Sequence, residues 1–69
     1  MTQNERILRH LQDNEWIDPL TALREYSIMR LASRISDLRS MGIMIDSEIV
    51  AHKNKYGETV HHARYRLHR

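Results

Sequence analysis

Up to Gly42 the apolar residues recur every three or four positions, and after it they recur every second one. That single change of period restricts the chain to helices first and strands afterwards. Ile7, Leu8 and Leu11 follow a Thr2–Glu5 capping-box pair, so residues 3–13 are predicted to form a first helix. Trp16 and Ile17 suffice only for a short extended piece. In "DPLTALREY", Asp18 is placed to cap a second helix over 19–25, with Pro19 at its first position. Leu20 and Leu23 are expected to face inward and Tyr26 to close the turn. Ser27 would then cap a third helix, 28–41, with Ile28, Leu31, Ile35 and Leu38 on its buried stripe and Ala32 beside it. Gly42 is expected to stop that helix as a left-handed glycine.

Beyond Gly42, Ile43, Ile45 and Ile49 share one parity and Asp46 and Glu48 the other. Ala63, Tyr65 and Leu67 alternate with Arg64 and Arg66, and "NKYGE" (54–58) between the arms is turn chemistry, with Asn54 and Gly57 suited to positive φ. The prediction is an antiparallel hairpin over 43–67 that must pack on the helices, since an isolated hairpin is marginal in water. The expected class is α+β, one domain over residues 1–69. Strands do not alternate with helices, which removes the nucleotide-binding βαβ folds from consideration.

A chain of 69 residues has a thin core and no room for a deep cleft. It has no cysteine, hence no disulfide or thiolate metal site, which suits a reducing cytoplasm. Apolar runs such as "IMI" (43–45) fall far short of a membrane span, so no membrane partner is expected. Charge is unevenly placed. Residues 1–41 hold six basic and six acidic side chains, whereas from His52 onward five basic residues face only Glu58. A basic C-terminal third points to an anionic partner.

Taken together, "DPLTALREYSIMRLASRISDLRSMG" and the tip "HKNKYGET" between "IMIDSEIV" and "VHHARYRL" resemble a winged helix-turn-helix domain. In detail the chain is similar to the small helix-turn-helix proteins of bacteriophages and prophages, through "ALREYxIMRLAxRIxDLRxxG" over Ala22–Gly42 and the closing "ARYRL" over Ala63–Leu67. The resemblance implies a protein that binds double-stranded DNA, with its third helix in the major groove and its wing on the backbone. The winged helix also serves as a protein-binding module, so a protein partner is the second reading.

With the apolar stripe inward, Met29, Arg30, Ser33, Arg34 and Asp37 occupy the outer face of the third helix. Arg30 and Arg34, one turn apart, could reach guanine or adjacent phosphates, while Asp37 could accept from cytosine or pair with Arg34. The competing reading of this face is ordinary solvated surface. Arg39 lies beside the stripe and is read as structural, paired with an acid such as Asp13, Glu15 or Glu48. The wing offers Lys53, Asn54, Lys55 and Tyr56, and Arg64 and Arg66 could extend its basic track or simply protect a strand edge.

His52, His61 and His62 invite a metal reading. Yet His61 and His62 are consecutive and must point to opposite faces of a strand, and no thiolate completes a set. No metal or cofactor is expected. No Gly-rich phosphate loop, activated nucleophile or convergent carboxylate pair is present, so no enzymatic activity is expected either. One such subunit has a small footprint, and useful affinity for DNA would require side-by-side binding or a homodimer. Trp16 is a candidate for that interface or for the core.

Overall fold

A computed structural model describes residues 1–69. Three helices, α1 (Gln3–Asp13), α2 (Pro19–Tyr26) and α3 (Leu31–Ser40), precede an antiparallel hairpin of β1 (Ile45–Lys53) and β2 (Thr59–Leu67). The hairpin runs in unbroken register from Ile45↔Leu67 to Lys53↔Thr59. Ile17 adds a one-residue third strand on the far side of β2, where Ile17 and Tyr65 exchange backbone bonds of 2.9 and 2.8 Å. β1 begins two residues later than the sequence pattern suggested, and β2 one residue earlier than its expected arm.

The starts of α1 and α2 and the end of α3 each have a local chemical cause. At α1 the Thr2 side chain accepts from Glu5 N–H, and the Glu5 carboxylate accepts from Thr2 N–H, both at 3.1 Å. At α2 the Asp18 carboxylate accepts from Thr21 N–H at 2.7 Å, ahead of Pro19 in the first turn. α3 ends as expected. Gly42 takes φ +90°, its N–H reaches the Arg39 carbonyl at 3.0 Å, and Ile43 N–H reaches the Leu38 carbonyl at 3.1 Å. This is a Schellman closure, which needs a left-handed residue at that point.

Two expectations fail between α2 and α3. Ser27 does not cap a following helix. It terminates α2 in the left-handed region (φ 57°, ψ 31°), with its N–H on the Leu23 carbonyl and Ile28 N–H on the Ala22 carbonyl. Once those amides are spent on α2, Ile28–Arg30 form a link and α3 begins at Leu31. The inward face of α2 is also different. Ala22 is fully buried and Tyr26 half-buried, whereas Leu20 and Leu23 are 62% and 46% exposed. A helix of eight residues carries both an Ala22–Tyr26 stripe and a Leu20–Leu23 stripe. The small alanine side lets the backbones approach most closely.

Ile7, Leu11, Ile17, Ala22, Ile28, Leu31, Ile35, Leu38, Ile45 and Tyr65 form one core between the helices and the base of the hairpin. Burying each larger side chain contributes about 1.5–3 kcal/mol. Ile49 shares the inward parity but lies beyond the helix layer and stays 66% exposed. Ala32, expected beside the stripe, is exposed as well. His10 joins the buried set from α1: one ring nitrogen meets the Trp16 carbonyl at 3.0 Å and the other the Tyr26 hydroxyl.

Candidate nucleic-acid interface

The outward side of α3 continues into the link ahead of it. Met29 (83% exposed) and Arg30 sit on the link and not on the helix, with Arg30 as the N-cap residue. Together with Gln3, Ser27 and Arg34 they line a shallow depression at the start of α3. Arg30 makes no ion pair, so its guanidinium is uncommitted. Arg34 and Asp37 are half-buried and form an i,i+3 pair at 3.2 Å. Ser33 is half-buried, and Ala32, Ser36 and Ser40 are exposed. The middle of the outer face is therefore built of short side chains with arginine at its flank. Sequence patterning placed Ala32 beside the buried stripe and did not single out Ser36, which carries neither a charge nor an apolar bulk that marks a surface.

Arg39 is structural, by a different contact from the one expected. Its Nε and Nη2 both donate to the Ile45 carbonyl, at 3.2 and 2.7 Å, and no acid pairs with it. The carbonyl that opens the edge of β1 lacks a strand partner, and a bidentate guanidinium satisfies it.

At the wing tip Lys53, Lys55 and Tyr56 are exposed, with Lys55 Nζ 5.1 Å from the Tyr56 ring centroid. Gly57 takes the positive φ (77°) and Asn54 does not. Asn54 works through its side chain instead: Oδ1 accepts from Tyr56 and Glu58 N–H at 2.9 and 3.1 Å, and Nδ2 donates to the Glu58 carboxylate. An asparagine so engaged shapes the tip more than it offers donors to a ligand.

Arg64 and Arg66 are drawn together on the outer face of the sheet. Arg64 pairs with Glu48 at 2.9 Å and Arg66 with Glu15 at 3.4 Å. Both guanidinium groups stack on Trp16, 3.9 and 4.7 Å from its ring centroid. Trp16 is thus neither a core residue nor a bare apolar patch. It is a half-buried platform under two cations. His52 and His62 share this face with ring centroids 5.0 Å apart, while no group of three or more ligating side chains gathers around one point.

Beside His52 and His62 of the hairpin, burial opposes ionisation of Asp18. The Thr21 hydrogen bonds and the charges of His62 and Arg24 outweigh it, and the carboxyl is held below its ordinary range.

The helical triad, the positive-φ stop at Gly42 and the hairpin with its short third strand are the parts of one architecture. A family model of the winged helix-turn-helix domain matches residues 2–69. The chain belongs to that family. No curated protein and no solved structure matches the chain. In the order of its elements α3 is the second helix of the motif and the β1–β2 hairpin, with its tip at 52–59, is the wing, and the family points to DNA as the partner. No helix is long and apolar enough to cross a membrane.

Proposed function

We propose that this winged helix is a double-stranded-DNA-binding protein of phage or prophage type, a cytoplasmic regulator or architectural factor. It acts by occupying a site and performs no chemistry. α3 enters the major groove, with Met29, Arg30, Ser33, Arg34 and Asp37 nearest the bases. Lys53, Lys55 and Tyr56 lie along the backbone, on a tip shaped by Asn54. The observation that carries this reading is the uncommitted Arg30 beside Arg34 at the open end of α3, on a face whose centre is small enough for close approach. Arg64 and Arg66 already hold acidic partners, so they contribute to the track only where Glu48 and Glu15 release them.

The test is fluorescence anisotropy with a labelled random-sequence duplex, titrated at several salt concentrations. Roughly four phosphate contacts give a slope of log K against log[salt] near about −3.6. Arg30→Ala with Arg34→Ala removes that binding and leaves the fold intact, since neither side chain is in the core. No binding at low salt refutes the proposal for this domain.

The exposed Leu20 and Leu23 on α2 favour a second reading, a module that docks on a host or phage protein. An apolar contact of that kind has little salt dependence, and the same titration separates the two.

A further inference from the structure

The backbone bonds of β2 determine which groups of β1 face outward. Tyr65 spends both its N–H and its carbonyl on Ile17. It therefore has neither left for Ser47, its partner across the hairpin. In an antiparallel ladder this alternates strictly. Ile45, Ser47, Ile49, Ala51 and Lys53 thus direct their N–H and C=O groups away from β2, into the free edge. His68 N–H on the Met44 carbonyl and Asn54 N–H on the Glu58 carbonyl fall on the opposite parity, as this requires. Arg39 already covers the Ile45 carbonyl. The remaining outward groups, of Ser47, Ile49 and Ala51, meet nothing in the chain outside the hairpin.

Folded proteins ordinarily guard such an edge with inward charges, proline or a bulge. Here the register has no bulge, and the side chains on the helix-facing side of the open segment are Ser47, Ile49 and Ala51, with a lysine only at the end. We infer that the edge of β1 from Ser47 to Lys53 pairs antiparallel with the same segment of a second copy of this chain, joining two hairpins into one continuous sheet.

The extent of the open edge sets the register, and the charges along it are compatible with that register. Because Arg39 closes the edge at Ile45, the open segment is 47–53, and its centre is Val50. A two-fold pairing about Val50 sets Ile49 against Ala51 and Ser47 against Lys53 of the second copy. On the other face it sets Glu48 against His52 and Asp46 against Asn54, so no like charges oppose. Moving the centre to Glu48 would put two carboxylates directly opposite, which is unfavourable. The pairing leaves the Arg39 contact and the Trp16 platform untouched, and both helix layers fall on the same side of the joined sheet.

This inference goes beyond the DNA reading and is tested without DNA. Sedimentation velocity over a wide concentration range should show a monomer–dimer equilibrium. Hydrogen exchange should then show the amides of Ser47, Ile49, Ala51 and Lys53 gaining protection as concentration rises. Those of Glu48 and Val50, bonded inside the hairpin, should not change. Ala51→Pro removes an edge donor without touching the β1–β2 ladder, and Ile49→Lys places a charge on an exposed edge position. Each is expected to weaken dimerisation by about tenfold or more. Ile49 is largely solvent-exposed, so Ile49→Lys keeps its fold even where the proline variant does not. A chain that stays monomeric throughout overturns the inference. So does a dimer indifferent to Ile49→Lys, or one whose odd-numbered amides exchange as fast as in the monomer.

Discussion

Replacing His10 by phenylalanine keeps a ring of similar size in the core and removes two polar contacts. His10 is 9% exposed and joins three segments: α1 carries it, Trp16 precedes the short strand, and Tyr26 ends α2. The Trp16 carbonyl can only accept, so Nε2 donates to it, and in the neutral ring Nδ1 accepts from the Tyr26 hydroxyl. His10→Phe strands that carbonyl and that hydroxyl together. A stranded buried group costs about 1–3 kcal/mol, and these two lie at the edge of the core, so the lower figure applies to each. The expected loss is about 2 kcal/mol, a large share of the roughly 3–10 kcal/mol available to a domain this small. It corresponds to a fall in Tm of about 8–16 °C. Tyr26→Phe should cost about 1 kcal/mol alone. The double variant should cost only about 1 kcal/mol, because it leaves neither the hydroxyl nor the ring nitrogen to be stranded and only the Trp16 carbonyl unpaired, so a coupling of about 2 kcal/mol is expected. Urea denaturation followed by far-UV circular dichroism measures all four corners of the cycle. A His10→Phe variant within about 0.5 kcal/mol of the parent, or a strictly additive cycle, would show that the hub does not hold these segments together.

Ser27→Gly should raise stability by about 0.5–1 kcal/mol in the same assay, since glycine adopts the left-handed backbone there without a Cβ penalty, while Ser27→Val should lower it. The Asp18 carboxyl is held low in the folded state, so its contribution is present above the ordinary range of an aspartate and is lost as pH falls through the depressed folded value. Asp18→Asn should therefore be less stable at neutral pH, with a shallower decline in acid, which denaturation midpoints across the acid range would reveal.

Much of the fold is legible in the sequence because its boundary signals are local. Thr2 with Glu5, Asp18 with Pro19, and Gly42 each act on amides or carbonyls within a few residues, and the change of period needs no tertiary knowledge. Ser27 misleads for the same local reason. Serine is a good N-cap, and only the competing bonds to Ala22 and Leu23 turn it into the end of α2. The α2 face depends on how closely the backbones can approach, which a pattern of leucines does not record. On the candidate face, residue type suffices to propose Arg30 and Arg34. It does not show that Arg64 and Arg66 are held by Glu48, Glu15 and Trp16, the last two of which lie far back in the chain, ahead of α2. Nor could it show the role of His10, whose partners lie in other segments.

The joint between α3 and the hairpin has a mechanical meaning. Only Met41 to Met44 separate the helix from the strand, the glycine turn is closed by two backbone bonds, and Arg39 bolts the last helical turn to the first strand carbonyl. Such a joint has little freedom to hinge, so under the proposed DNA-binding mode α3 and the wing are the two jaws of a calliper with a set gap. A duplex held by both jaws must offer a groove and a flanking phosphate ridge at that spacing. Stretches whose stiffness or groove width departs from it are penalised even where no base is touched.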